Sequence, residues 1–228
     1  MPSATIGRKI DEGLELYCPL NEGAGTKIHD HSLNARQATL DLGTSNIGDF
    51  WANTWLDKPV ATFKALDEKI DFTSFNLNEI TMACWANWTA FQDTTYEAFI
   101  FKANSGDPSQ STAFSLGAFW SSPSFRMCVT TDNNNGEYAA NTSMEIGAWH
   151  NYVGSYTDGD MRLYIDGKLI YIDPSPPTGD IEDVDSPFRI GMGAQGDSIN
   201  ALLCEVRIYN RALSEQEIRT LYDMRRRI

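Results

Sequence analysis

Apolar residues recur at every second position through much of this chain, in short runs. From Ile80 to Trp88, the residues Ile80, Met82, Cys84, Ala86 and Trp88 fall on one side, with Trp85 and Asn87 on the other. That period of two describes a strand with one face on a core. The same reading predicts strands at Leu14–Leu20, Val60–Leu66, Lys69–Phe72, Tyr96–Lys102, Ala113–Trp120, Phe125–Thr130 and Glu137–Asn141. A meander follows from Trp149, and a further strand starts at Phe188. Near the end, Leu202, Cys204, Val206 and Ile208 alternate with Leu203, Glu205, Arg207 and Tyr209. The period then changes. Ser214 with Glu217 three residues on is a capping box, and Ile218, Leu221 and Tyr222 follow at helical spacing.

Turn residues punctuate these runs. Asn21 to Gly25 holds two glycines, and Asp132 to Gly136 is a second polar turn. Asp158-Gly159 and Asp166-Gly167 are two-residue hairpin connections of the kind that favour type I′ turns. Residues 26–56, Asn104 to Ser111 and the acidic, Pro-containing stretch from Asp173 to Ser186 read as irregular. Close strands separated by such turns predict an all-β fold, a sandwich of two antiparallel sheets, with a short C-terminal helix. Residues 1–12 read as a polar arm and 13–228 as one domain, since no linker or internal repeat divides the chain.

The segment EVRIYNRALSEQEIRTLY (205–222) resembles the C-terminal signature of laminin-G-like, concanavalin-A-like jelly-roll domains. LYCPLNEGAGTKIHDHS (16–32), ITMACWANW (80–88) and GAWHNYVGSYTDGDMRLYIDGKLI (147–170) resemble, in order, further segments of that family. The resemblance implies a jelly roll. It leaves function open, because lectins, carbohydrate-binding modules, adhesion domains, virion proteins and some glycosidases share that fold. It also implies a rim calcium site to which Asp30 and Asn34 would contribute. The family's usual Asp before the Glu-Val-Arg-Ile-Tyr run is Cys204 here, and a thiol is a poor ligand for a hard cation. No cofactor is required by any motif, and calcium stays open.

Composition narrows the partners. Formal net charge is −13, from 18 Lys plus Arg against 31 Asp plus Glu. That balance argues against nucleic acid and anionic membranes. No apolar run is long enough to insert into a bilayer, and the first residues lack a signal-peptide core. Cys18, Cys84, Cys128 and Cys204 lie far apart without zinc spacing. Four reduced core thiols or two disulfides fit this spacing, and the missing secretion signal favours the thiols. Extracellular display, or exposure on a virion after cytoplasmic assembly, reconciles a laminin-G-like domain with that start.

Gly191 to Gly196 fits G-x-G-x-x-G, but a strand rather than a helix follows, so the pattern reads as a turn. No strand carries the i, i+2, i+4 carboxylates of a retaining glucanase, so no catalytic residue is assigned. His29 and His31 lack an evident third ligand, and His150 reads as structural. Sugar binding needs aromatic faces with polar neighbours. Trp51, Trp55, Trp120 and Tyr138 lie nearest the predicted loops, with Asn53, Asp57 and the Asn133–Asn135 run, Asn134 at its centre, as polar candidates. The expectation is a non-catalytic recognition module for a glycan. The alternative is a structural virion protein, a decoration or head-fibre component, that contacts other protein subunits. Either reading leaves a homo-oligomer open.

Overall fold

The computed structural model describes residues 10–64, 67–90, 97–103, 112–119, 122–132, 134–191 and 199–226. Among them, two antiparallel sheets enclose the core, as the alternation predicts. The first sheet runs β13 (Lys168–Ile172), β12 (Asp160–Ile165), β11 (Trp149–Thr157), β6 (Ile80–Ala90), β15 (Asn200–Tyr209), β4 (Lys58–Phe63) and β3 (Asn53–Trp55). β1 (Leu14–Cys18) also pairs with β15. The second runs β10 (Asn134–Ser143), β9 (Ser122–Thr131), β8 (Thr112–Phe119), β7 (Glu97–Ala103), β14 (Phe188–Ile190), β5 (Glu68–Phe72) and β2 (Ala38–Leu42). Met82, Cys84, Ala86 and Trp88 of β6 meet Phe99, Phe114, Leu116 and Met127 of the second sheet in one buried cluster. Trp85 points the other way, as the period of two requires.

β15 departs from strict alternation. Leu203, Val206 and Ile208 face the core, while Leu202 and Cys204 join the cluster on the outer face. A bulge between Cys204 and Arg207 inserts one residue, and Glu205 there has φ +56°. The inserted residue swaps the faces, so Cys204 and Val206 lie on opposite sides instead of sharing one. The bulge is held in place by its side chains. The Glu205 backbone N–H donates to Pro19 O (3.1 Å), and its carboxylate accepts from Tyr17 Oη (3.0 Å) and Arg207 Nη2 (2.8 Å). The Arg207 guanidinium lies 3.9 Å from the centroid of the Tyr17 ring.

The stretch read as irregular between 26 and 56 contains β2, a one-turn helix α1 (Ile47–Phe50) and β3. α1 and β3 are too short to show a period, while β2 alternates Ala38, Leu40 and Leu42, packed on the core, with Thr39 and Asp41. The arm is anchored at its end: Ile10 is buried with Tyr209, Leu213, Ile218 and Leu221, and residues 1–9 lie outside the described residues. The closing helix α2 (Glu215–Arg226) lies on the outer face of the first sheet. Its capping box forms as read: Glu217 N–H donates to Ser214 Oγ (3.4 Å), and Ser214 N–H to Glu217 Oε2 (2.9 Å).

Turn chemistry is borne out at Asp166-Gly167, where both residues have positive φ. At Asp158-Gly159 only Gly159 does, so that connection is not type I′. There Asp158 Oδ1 accepts from Gly179 N–H (2.7 Å) and Gly159 N–H donates to Pro177 O (3.2 Å), tying the turn to the neighbouring loop. Gly191 has φ +87°, and a Cβ there would lie 2.1 Å from Phe63 Cε1. Its glycine serves packing between the sheets, and the rest of the G-x-G-x-x-G run lies outside the described residues. All four cysteines are buried and unbridged.

Candidate functional site

On the outer face of the first sheet, beyond the edge of α2, four aromatic rings form a column. Trp85 projects from β6 and Trp149 from the start of β11, both on the side away from the core. Tyr222 of α2 stacks on Trp85 with centroids 5.5 Å apart and planes 16° apart. Trp55 lies 4.8 Å from Trp85 at 47°, and 4.3 Å from Trp149 at 11°. In the sheet order, β4, β15 and β6 stand between β3 and β11. Neighbouring strands are about 4.8 Å apart, so Trp55 reaches Trp149 only because the β3–β4 hairpin leans over the outer face. At its tip Leu56 and Asp57 both have positive φ, +50° and +58°, a conformation that disfavours a leucine.

The two ends of the column differ. At the Tyr222 end the Arg219 guanidinium stands 5.5 Å from the ring centroid and pairs with Asp223 (3.5 Å). At the other end Trp55 covers one face of Trp149, and among the described residues no further ring reaches it. Trp149 stays partly exposed. Asn87 pairs in register with Trp149 on one side and Leu202 on the other. Its amide nitrogen donates to Gly147 O (3.4 Å), and its Oδ1 has no partner among the described residues. Asn151 repeats this beside Trp85: Nδ2 donates to Cys84 O (3.1 Å) and Oδ1 has no such partner. A buried polar atom without a partner costs about 1–3 kcal/mol, so these amides are a local cost within the apolar cluster.

His150, next to Trp149, stands between two carboxylates, with Nδ1 2.8 Å from Asp166 Oδ2 and Nε2 3.3 Å from Glu145 Oε2. This matches the structural role read for it. The pair joins the start of β11 to the β12–β13 turn, where Asp166 Oδ1 also accepts from Asn151 N–H (3.0 Å).

A polar cleft of about 360 Å³ lies elsewhere, between β11–β12 and the start of α2. Its charges are committed to one another. Arg162 pairs with Asp160 (2.8 Å) and approaches Glu215 (3.6 Å), and Arg211 pairs with Glu217 (2.9 Å). Burial raises the Glu217 pKa, but hydrogen bonds from Arg211 and Ser214 outweigh it and hold the carboxyl down at about 2. A carboxylate so strongly held is a poor proton donor near neutrality.

The aromatics expected at the surface divide. Trp55 is in the column. Trp51 is not available to a ligand: it is 8% exposed, packs edge-on to Phe50, and its Nε1–H donates to Gly25 O (3.0 Å). Trp120 lies outside the described residues, as do the side chains of Tyr138 and Asn134. Asn53 donates through Nδ2 to Thr62 Oγ1 (3.0 Å). Sequence reasoning misses Trp85, Trp149 and Tyr222 as ligand candidates. The one usable signal is the outward parity of Trp85 on β6.

Asp30 and Asn34 do not fit a calcium ion. Asp30 Oδ1 accepts from the N–H groups of Tyr17 and Ser32, both at 2.9 Å. Its Oδ2 accepts from Ser32 Oγ (2.9 Å) and Arg36 N–H (2.8 Å). Asn34 turns its amide nitrogen, not its oxygen, to Glu15, donating to the carbonyl (3.1 Å) and the carboxylate (2.9 Å). The pair staples the 30–36 loop to β1. His29 instead approaches Glu22, Nδ1 to Oε1 3.5 Å.

Residues 67–219 match the laminin-G-like family model of the concanavalin A-like lectin/glucanase superfamily. No curated protein matches the chain in sequence. Among solved structures, the binding domain of Paraclostridial Mosquitocidal Protein 1 is similar, with TM-score 0.71, 14% identity, and coverage of 95% of this chain and 53% of that one. The binding domain of botulinum neurotoxin DC, in structures described as complexes with SialylT and with rat synaptotagmin II, is similar at TM-score 0.67 and 16% identity, covering 94% of this chain and 52% of those. The chain thus spans about half the length of these structures. At such identities the likeness concerns the fold.

Proposed function

Because the chain belongs to the concanavalin A-like lectin/glucanase superfamily, we propose that it is a non-catalytic recognition module, displayed outside the cell or on a virion, that binds a glycan at the Trp149 end of the aromatic column. One observation carries this reading: Trp149 is stacked by Trp55 on one face and is left partly exposed. Sugars offer apolar C–H faces to aromatic rings and hydroxyls to amides. The rings come from β6, β11, α2 and a hairpin, so the surface is already formed before a ligand arrives. The self-paired charges of the polar cleft support the non-catalytic part of the reading.

The support from relatives is coarse. The similar toxin structures are binding domains, and two of them are described with SialylT and synaptotagmin. A glycan array probed with the wild-type protein and Trp149→Ala tests the reading. Signal on defined glycans that the variant loses supports it, and an empty array opposes it.

A second reading, contact with protein subunits in a virion, draws on apolar residues beside the column. Leu56 follows Trp55 and is 44% exposed, and Ile146, bridged to Trp88, is 51% exposed. Light scattering decides: a symmetric oligomer that Leu56→Asp dissociates favours subunit contact, and a monomer opposes it.

A further inference from the structure

The polar cleft beside the start of α2 contains a hydroxyl that the protein leaves unbonded. The floor of the cleft is the outer face of β11 and β12, where Ser155 and Thr157 stand beside Asp160 and Arg162. Its wall is the cap turn from Arg211 to Ser214 and the first residues of the helix. Thr81, paired with Ser155 in the sheet, fixes that wall: its hydroxyl donates to Arg211 O (2.8 Å) and accepts from Leu213 N–H (2.9 Å). Further along β11, Ile218 and Leu221 of α2 cluster with Val153, and the helix closes over the sheet. At Ser155 and Thr157 short side chains beneath the wall leave about 360 Å³, within the roughly 300–1,000 Å³ of small-ligand pockets.

Ser155 faces this space. A Cβ on Gly154 would run into Leu116 and Met127 of the second sheet, so alternation turns Ser155 outward. Ser155 is 3% exposed, and its Oγ has no hydrogen-bond partner among the described residues. Buried hydroxyls are normally paired. At the helix start the N–H groups of Glu215 and Gln216 have no intrahelical acceptor, and the cap oxygen, Ser214 Oγ, takes the N–H of Glu217 instead. The arginines already have acceptors. Arg162 Nε donates to both oxygens of Asp160 (2.8 and 3.0 Å), and Arg211 gives Nε to Glu12 O (2.9 Å) and its Nη groups to Glu217 (3.2 and 2.9 Å). An anion would have to displace those carboxylates, and a cation would meet both arginines.

We infer that this cleft is a second ligand site, separate from the aromatic column, and that it takes a neutral polyhydroxylated molecule the size of one sugar residue. Each hydroxyl both donates and accepts, so one such molecule pairs with Ser155 Oγ, with the N–H groups of the helix start, and with the remaining lone pairs of Asp160 and Glu215. The Glu215 side chain is 62% exposed and open to such a contact. Ser155 and Trp149 lie on the same strand, about 20 Å apart along it at the usual rise per residue. Each site can therefore be altered without touching the other.

The test is calorimetric titration and amide chemical-shift mapping with a panel of neutral monosaccharides and inositol, run beside inorganic phosphate, on wild type, Trp149→Ala, Ser155→Ala and Ser155→Leu. The expected result is saturable, millimolar binding of at least one neutral member, with amide shifts confined to residues 155–162 and 211–217. Trp149→Ala leaves it unchanged, Ser155→Ala weakens it about fivefold, and Ser155→Leu, which fills the cleft, abolishes it. Ser155→Ala removes one oxygen only, so its loss of binding stands apart from any effect on folding. Binding that Trp149→Ala removes and both Ser155 variants keep would put the sugar on the column, overturning the cleft site while the proposed function stands. Phosphate binding without a neutral ligand would overturn the ligand class, and no binding of any member would overturn the site.

Discussion

The indole rings of Trp55 and Trp149 lie parallel, 4.3 Å apart at 11°, although their strands stand at positions separated by three others in the first sheet. That contact turns an edge hairpin into a wall of the outer face. It holds Trp149 in one orientation, which is what a stacking surface needs. The remaining aromatics of the column, Trp85 and Tyr222, tie the same wall to β6 and to the closing helix. Fold and candidate site are therefore coupled through α2.

That coupling makes the helix cap a stability determinant with a defined pH window. The Glu217 carboxyl is held at about 2, below its ordinary 4.5, because the donors from Arg211 and Ser214 outweigh burial. A folded-state pKa below the unfolded value stabilises fully above about 4.5, and the contribution disappears as pH falls from there through 2. The expected size is up to about 3 kcal/mol. Urea unfolding of wild type and Glu217→Gln between pH 2 and 7 should show curves that converge at the acid end. Parallel curves would mean that the carboxylate is not held as described.

At Lys102 the fold favours the neutral form instead of the charged one. It is fully buried on β7, and its Nζ donates to Phe75 O and Asn76 Oδ1. Burial lowers its pKa from 10.5 to about 8, against the opposing pull of Asp183 and Asp185. Below pH 8 the folded state carries a buried charge that the unfolded chain keeps in water. Between 8 and 10.5 the unfolded chain holds the extra proton, so stability rises with pH there by roughly 3 kcal/mol. The stability difference between wild type and Lys102→Met should be flat below pH 8 and shift toward wild type above it. A difference independent of pH would contradict the placement of the amine.

The loop after β1 should behave as a hydrogen-bonded staple. Asp30 accepts four hydrogen bonds, so Asp30→Ala should cost about 3 kcal/mol of unfolding free energy. Millimolar calcium or EDTA should leave the thermal midpoint of wild type within about 1 °C, because a ligand that binds only the folded state raises that midpoint. A calcium-dependent rise that Asp30→Ala removes would restore the metal site implied by the family resemblance.

Gly191 supplies a packing test remote from the candidate site. Its φ is +87°, and a methyl group added to it would meet Phe63 Cε1 at 2.1 Å, so Gly191→Ala must displace an aromatic of the core. A loss of about 3 kcal/mol is expected, with ligand binding retained at temperatures where the variant is folded. A neutral substitution would show that Phe63 can yield.

The fold is legible in the sequence because its longest strand is regular. The five inward residues of β6 and the outward Trp85 and Asn87 follow from alternation alone. The capping box is legible for the same reason, since its two residues are local. The second half of β15 misleads because a bulge at Glu205 leaves no mark on the apolar pattern. β3 escapes because three residues carry no period. The column cannot be read from the chain, since its four rings come from four elements and Trp55 gets there by a lean of its hairpin. Trp51 misleads for a related reason: it sits in a polar stretch, yet its N–H finds Gly25 O and its ring is buried.

The central claim is that Trp149 is the contact surface for a glycan. Calorimetric titration of wild type and Trp149→Ala with an oligosaccharide retained on the glycan array tests it most directly. The account predicts saturable binding by wild type and a loss of at least about tenfold in the variant, with unchanged far-ultraviolet circular dichroism. Equal affinity of the two proteins for the same sugar would contradict it.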